Sequence, residues 1–210
     1  MDTVTAVKHL RWKSESKTFT IETHRSIGVD NTKYWFYIPS FVINGGALFA
    51  DFMKSMPKLG GETKRKSCIF ADHTSDDTDS SYSLPTYAWQ DHEIINALKT
   101  NLESVLHQHF DYCLFHLYPN GNSSIGYHRD QEADDTIVVS LSFGATRKFR
   151  FRRPGQTQGY DVEYQLRSGD LLVMQPDCQK MYLHSVPIEA SVKQPRINLT
   201  FRQRVVNPSP

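Results

Sequence analysis

Residues 137–152, IVVSLSFGATRKFRFR, indicate the fold class of this 210-residue chain. Apolar side chains occupy every second position on both sides of Gly144, as in strands that bury one face. The alternating residues are Ile137, Val139, Leu141, Phe143, Phe149 and Phe151. Because Gly144 interrupts the pattern, the stretch predicts a hairpin of two strands.

The alternation continues toward the C-terminus. Residues 162–166 and 171–174 predict two further strands separated by a turn, and residues 196–202, RINLTFR, predict a last one. Several short strands at roughly ten-residue spacing are typical of a sandwich or jelly roll. The chain from residue 113 onward is therefore predicted to be a β domain.

Two helices are predicted before this β region. Between residues 45 and 56 the apolar side chains recur at three- and four-residue steps, until Pro57 stops the pattern. A second helical pattern covers residues 91–110, with Asp91 as its N-cap. Residues 59–83 are rich in Gly, Lys, Ser and Asp, so exposed loops are predicted between the helices.

The composition excludes few functions. A formal net charge of +1 provides no general attraction to nucleic acid, so such a partner would need local basic clusters. The three cysteines are far apart and form no zinc or redox motif, which favours a reducing intracellular compartment, cytoplasm or nucleus. No segment has the pattern of a signal peptide or a membrane span. We therefore expect a soluble protein with no membrane partner.

The first candidates for chemistry are His128 and Asp130. In an extended chain, residues two apart lie on the same side, so both can reach one ion. The pair alone is a weak signal, since short motifs recur by chance. His184 supplies a second imidazole, and two histidines with one carboxylate form a facial triad that leaves metal positions open. The same ligands also suit a catalytic zinc, which keeps a zinc hydrolase as an alternative.

The strand predicted at residues 196–202 has one apolar face and one polar face. Its apolar residues alternate with Arg196, Asn198, Thr200 and Arg202. Two guanidinium groups inside a barrel would be unfavourable unless an anion met them, and a dicarboxylate would satisfy that need. The alternative is an edge strand whose polar face meets water.

Four segments together resemble the AlkB-like dioxygenases, in particular the branch that repairs alkylated bases in DNA and RNA. They are residues 116–132 (HLYPNGNSSIGYHRDQE), 140–152 (SLSFGATRKFRFR), 184–187 (HSVP) and 195–202 (PRINLTFR). The resemblance extends over residues 34–204. It implies a mainly β fold, a double-stranded β-helix (jelly roll) with flanking N-terminal helices. We also expect a monomer.

The predicted organisation has four parts. A polar N-terminal extension (residues 1–33) precedes the N-terminal helices and substrate-recognition loops (34–112). The β-helix catalytic core (113–204) and a C-terminal tail (205–210) follow. Order is expected to begin near Tyr34, where the first aromatic-rich run starts.

The resemblance also implies the cofactors, Fe(II), 2-oxoglutarate and O2. It assigns Fe(II) to the catalytic residues His128, Asp130 and His184, and 2-oxoglutarate to Tyr118, Arg196, Asn198, Thr200 and Arg202. In this family the N-alkyl carbon is hydroxylated and leaves as an aldehyde, while 2-oxoglutarate becomes succinate and CO2. Where the family usually has an asparagine beside the co-substrate, this chain has His116, which could still form a hydrogen bond.

The substrate contacts are predicted from weaker signals. An alkylated base must be single-stranded or flipped out of its duplex to react. Tyr82 is the candidate stacking platform, and Arg65 and Lys66 are candidate phosphate contacts; Gln131 and Glu132 follow the metal motif near the base. The predicted function is demethylation of bases such as 1-methyladenine and 3-methylcytosine in DNA or RNA. A protein or small-molecule substrate, and a non-catalytic jelly-roll binding module, are the alternatives.

Overall fold

The computed structural model describes residues 10–13, 18–21, 30–61, 64–72, 84–130 and 135–204. The helices in these ranges are α1 (Gly45–Lys54), α2 (Glu93–Leu106), α3 (Pro176–Met181) and a 3-10 helix at Trp89–Asp91. The strands are β1 (Leu10–Lys13), β2 (Thr18–Ile21), β3 (Asp30–Asn31), β4 (Trp35–Ile38), β5 (Lys66–Ala71), β6 (Thr86–Ala88), β7 (Tyr112–Tyr118), β8 (Ile125–His128), β9 (Val138–Gly144), β10 (Arg147–Arg152), β11 (Val162–Leu166), β12 (Leu171–Met174), β13 (Leu183–Val186) and β14 (Arg196–Arg202).

Strands β7 to β14 form a jelly roll, which confirms the predicted fold class. Four of them lie in a major sheet in the order β12-β9-β14-β7, and the other four form a minor sheet in the order β11-β10-β13-β8. Strands β3, β4, β5 and β6 extend the major sheet to eight strands. One buried cluster contains residues of both sheets, so the chain winds between two facing sheets as in a double-stranded β-helix.

The hairpin predicted for residues 137–152 is wrong, although both of its strands exist. β9 pairs with β12 and β14 in the major sheet, whereas β10 pairs with β11 and β13 in the minor sheet. Gly144 has a φ of +85° where the chain leaves one sheet for the other. A Cβ at this position would lie 2.6 Å from both the Phe49 ring and the Pro195 carbonyl oxygen, so only glycine fits the crossing.

The two predicted long helices are present with different ends. α1 stops at Lys54, and α2 stops at Leu106, where His107 adopts a left-handed φ of 53°. Asp91 does not cap α2: it belongs to the preceding 3-10 helix, and its carboxylate accepts a hydrogen bond from the Ala88 N–H at 2.9 Å. Within the described ranges, no helix is long and apolar enough to cross a membrane.

Two segments predicted to be irregular contain strands. Residues 67–71 of β5 are buried, and β5 pairs antiparallel with β7. The polar residues on both sides of this short apolar stretch obscured it in the sequence. In the N-terminal extension, β1 and β2 pair with each other, also antiparallel.

The major sheet separates an apolar core from a polar interior. Leu199 and Phe201 of β14 pack in one buried cluster with Phe52 of α1 and Leu98 of α2. The alternate residues of β14 therefore face the minor sheet, and every residue of the strand is buried. The fold thus places a file of polar side chains between the two sheets.

Candidate active site

The two histidines of the predicted triad lie side by side on adjacent strands of the minor sheet. His128 ends β8 and is the register partner of His184 on β13. The Asp130 carboxylate reaches both rings: Oδ1 lies 3.6 Å from His128 Nε2, and Oδ2 lies 3.7 Å from His184 Nε2. One ligand atom of each residue lies within 4.8 Å of the other two. The fold therefore brings the three residues close enough to bind one ion.

Both rings can present a nitrogen lone pair to a cation. His128 Nδ1 lies 2.9 Å from the Gly126 carbonyl oxygen, which only accepts, so Nδ1 donates to it and Nε2 is the ring nitrogen available to a cation. Burial lowers the pKa of His184 to about 4, so this ring is neutral near pH 7. Two imidazoles and one carboxylate match the donor set that binds non-haem Fe(II).

Asp130 remains ionised although it is buried. Burial alone would raise its pKa, but the Arg202 guanidinium and the two histidine rings together lower it below its usual value. Arg202 Nη2 lies 2.8 Å from Asp130 Oδ1. The Asp130 carboxylate of the protein itself is therefore an anionic partner of Arg202. This contact was not predicted from the sequence.

Arg196 has different surroundings from Arg202. It is 1% exposed, and its Nη2 donates a hydrogen bond to Ser142 Oγ at 2.9 Å. By distance and angle its Nε and Nη1 have no hydrogen-bond partner among the described residues, although the nearby Tyr118 side chain partly offsets the effect of burial on the Arg196 pKa. Burial lowers the pKa of Arg196 to about 10, yet the group stays charged at neutral pH. A buried guanidinium with unsatisfied donors is unfavourable alone, so a carboxylate end of 2-oxoglutarate fits this position.

The neutral donors of β14 are already used within the sheet. Asn198 Nδ2 donates to Ser140 Oγ at 2.9 Å and to the Leu141 carbonyl at 3.1 Å. The Thr200 hydroxyl donates to Asn198 Oδ1 at 3.3 Å. Asn198 and Thr200 therefore shape the interior wall, and the co-substrate contacts expected of them remain a prediction. The Tyr118 ring lies beside Arg196, with 5.2 Å between its centroid and the Arg196 Cζ.

His116 faces the same interior and has a partner that the sequence did not reveal. Its Nδ1 lies 2.7 Å from Ser67 Oγ on β5. Ser67 is the register partner of His116, so only the pairing of β5 with β7 brings the two together. Burial, with the nearby charges of Arg65 and Arg202, holds the pKa of His116 well below its usual range. His116 is therefore a neutral hydrogen-bonding group.

The triad lines one cavity together with Asn198, Thr200 and Arg202 of β14, whereas Arg196 is not among the residues that line it. Its apolar wall includes Phe149, Met174 and Val186. The Phe149 ring stacks on His184, with centroids 5.4 Å apart and planes inclined by 13°. These wall residues were not predicted as site residues, because apolar positions on strands indicate only that a side chain is buried.

The residues predicted to contact the substrate are only partly described. Arg65 lines the cavity, whereas Lys66, the first residue of β5, is exposed. Tyr82, Gln131 and Glu132 lie outside the described residues. Arg65 is thus the substrate-contact candidate that the structure brings to the cavity.

A second group of possible metal ligands consists of Asp72, His109 and Asp111. His109 Nε2 lies 3.8 Å from Asp72 Oδ2 and 3.6 Å from Asp111 Oδ1. Asp72 and His109 are exposed, and none of the three residues lines the cavity. This group therefore lacks the enclosed setting of the first one.

Comparison with known proteins relates the chain to a family that matches this site. Residues 43–202 match the 2OG-Fe(II) oxygenase superfamily. The DNA oxidative demethylase ALKBH2 of Mus musculus is 35% identical over 149 residues, which are 66% of this chain and 61% of that protein. The alpha-ketoglutarate-dependent dioxygenase alkB homolog 3 of Homo sapiens is 36% identical over 129 residues, 57% of this chain and 44% of the relative. The chain thus spans about half the length of these curated relatives.

Solved structures share the fold at low sequence identity. The structure of OsALKBH1 has a TM-score of 0.57 and 16% identity, and the match covers 83% of this chain and 99% of that one. A Pseudomonas putida prolyl-4-hydroxylase has a TM-score of 0.50 and 16% identity, covering 82% and 94% of the two chains. Both similarities concern the fold alone.

Proposed function

Because this chain belongs to the 2OG-Fe(II) oxygenase superfamily, as an AlkB-like member, we propose that it is an oxidative demethylase of N-alkylated bases in DNA or RNA. One observation supports the co-substrate part most strongly. Arg196 is a fully buried guanidinium with two nitrogens that lack a partner in the described structure, and it lies in the same sheet interior as the triad. A dicarboxylate that binds the metal at one end would satisfy it at the other.

Two separate sets of residues are assigned to the metal and to the co-substrate. His128, Asp130 and His184 would hold Fe(II), and Arg196 with Tyr118 would hold 2-oxoglutarate. When bound, these groups and O2 supply an oxidation that places one oxygen atom on the N-alkyl carbon and the other in succinate, with release of CO2. The C–N bond of the resulting hydroxymethyl group then breaks: its electron pair returns to the ring nitrogen, the hydroxyl proton is released to solvent, and the carbon leaves as formaldehyde.

The remaining residues set the surroundings of the reaction. Arg202 neutralises the charge of Asp130, and His116, fixed by Ser67, offers a neutral hydrogen bond in the cavity. Phe149 packs flat on His184 and keeps water from that side of the ring. Arg65 at the cavity wall is placed to meet a phosphate or a polar edge of the substrate.

The substrate class rests on the relatives and on the cavity. The Mus musculus relative is named a DNA oxidative demethylase, and we extend that substrate class to 1-methyladenine and 3-methylcytosine in this chain. The net charge of +1 favours a second candidate, a hydroxylase or demethylase of a protein or small molecule. A zinc hydrolase would not require Arg196. We also propose an intracellular location, since Cys68, Cys113 and Cys178 are buried free thiols; the monomeric state remains a prediction.

The test is formaldehyde release from methylated oligonucleotides. The purified chain receives Fe(II) and 2-oxoglutarate anaerobically, followed by single-stranded DNA, duplex DNA or RNA carrying 1-methyladenine or 3-methylcytosine, and then air. We expect formaldehyde and succinate in equal amounts, with no formaldehyde from unmethylated strands or from Asp130→Ala. Succinate formed with a cell extract, but no formaldehyde from any methylated strand, would favour the second candidate.

A further inference from the structure

Gln179 is a buried polar residue of α3 that contacts the candidate metal site through the backbone. Its side chain is 0% exposed, and its Oε1 accepts a hydrogen bond from the Asp130 N–H at 3.0 Å. Because an N–H can only donate, this contact sets the orientation of the amide and turns Nε2 toward Met174 Sδ at 3.6 Å. Gln179 therefore connects a residue of the triad to a wall of the cavity.

The backbone of Asp130 depends on an acceptor from outside its own strand. β8 ends at His128, so Asp130 lies beyond the ladder that pairs β8 with β13. A buried N–H without an acceptor is unfavourable by about 1–3 kcal/mol. Gln179 supplies that acceptor from an element far away in the sequence.

The helix that carries Gln179 is held in place on several sides. α3 starts with Pro176, and Cys178 is buried in the cluster between the two sheets. Just before the helix, the Gln175 N–H bonds to the Tyr34 carbonyl at 2.8 Å. α3 then leads into β13, where His184 follows. It is thus linked to Asp130 by a hydrogen bond and to His184 by the chain.

We propose that Gln179 is a positioning residue for the metal site. Its amide fixes the Asp130 backbone, so that the carboxylate keeps its place between the two histidines and Arg202. The inference rests on the proposed function, since it takes the triad to be the site of the iron. Gln179 itself is not among the residues that line the cavity. Replacing residues that orient metal ligands typically weakens metal binding about 10- to 100-fold.

The test measures Mn(II) affinity, with Mn(II) as a redox-stable substitute for Fe(II). Free Mn(II) is followed by electron paramagnetic resonance in titrations of the whole chain and its variants. Gln179→Met keeps the side-chain length but removes the acceptor, and Gln179→Glu keeps an acceptor oxygen. Lys180→Ala is the matched control, because Lys180 lies on the same helix and is exposed.

We expect Gln179→Met to raise the Mn(II) Kd by about 10- to 100-fold, while Gln179→Glu and Lys180→Ala stay close to wild type. A folded Gln179→Met variant with the wild-type Kd would overturn the proposal, and so would an equal loss in Gln179→Glu. If Gln179→Met does not fold, Gln179→Asn, whose amide is one methylene too short to reach, replaces it. Wild-type protein that binds no Mn(II), or binds it equally well as Asp130→Ala, would instead contradict the metal site and the proposed function.

Discussion

Replacing Arg196 with methionine should stabilise the ligand-free protein and abolish its response to 2-oxoglutarate. Burial lowers the pKa of Arg196 from its ordinary value to about 10. At about 1.4 kcal/mol per pKa unit, the buried charge of Arg196 destabilises the ligand-free folded protein by about 3 kcal/mol. Methionine removes that cost and loses the hydrogen bond to Ser142, worth about 1 kcal/mol. A net gain of about 2 kcal/mol corresponds to a rise in Tm of roughly 4–8 °C for a chain of this size.

Arg147 provides a matched control with the opposite expected sign. It is also 1% exposed, but its Nε lies 3.0 Å from Glu189 Oε2, and its Nη2 donates to the carbonyls of Ser123 at 2.8 Å and Pro187 at 2.7 Å. Breaking such a buried pair destabilises a protein by about 3–5 kcal/mol. Arg147→Met should therefore lower the Tm, whereas Arg196→Met raises it.

The assay is thermal unfolding with and without 2-oxoglutarate, in the presence of Mn(II). The co-substrate should raise the Tm of the wild type, because it binds only the folded chain. Loss of a buried charge pair of about 3–5 kcal/mol weakens binding on the order of 10²–10⁴-fold, so Arg196→Met should show no shift. An Arg196→Met protein that is less stable without ligand, yet still shifts with 2-oxoglutarate, would refute this reasoning.

Three further predictions concern other parts of the site and fold. Asp130→Ala should abolish Mn(II) binding in the same resonance titration, because it removes one ligand and the anion beside Arg202; retained binding would contradict the triad. Arg65→Gln should raise the KM for a methylated oligonucleotide roughly tenfold, the effect of one charge-assisted hydrogen bond, without raising that for a methylated nucleoside. Burial lowers the pKa of His92. As the pH falls, this histidine is therefore protonated in the unfolded chain before it is protonated in the folded one. The free energy of unfolding, measured in urea, should be constant above about pH 6.5 and decrease below it. His92→Gln should make this decrease smaller.

Part of the candidate site could be predicted from the sequence because it depends on residue type and short spacing. His128 and Asp130 are two residues apart, and the polar face of β14 follows from alternation alone. The fold class was predictable for the same reason, since alternating strands bury one face wherever they pair.

The partners of these elements were not predictable, because they depend on non-local pairing. Local alternation identified β9 and β10 but not that Gly144 sends them into different sheets. Ser67 meets His116 only because β5 is the neighbour of β7. The pairing of Arg202 with Asp130 likewise requires residues far apart in sequence to meet between the sheets.

The most direct measurement is a crystal structure of the anaerobic complex with Mn(II) and 2-oxoglutarate, with manganese located by anomalous scattering. We predict an anomalous peak bound by His128 Nε2, the Asp130 carboxylate and His184 Nε2, and a co-substrate carboxylate bonded to Nε or Nη1 of Arg196. A peak only at Asp72, His109 and Asp111, or a co-substrate that leaves Arg196 without a carboxylate partner, would contradict the proposed site.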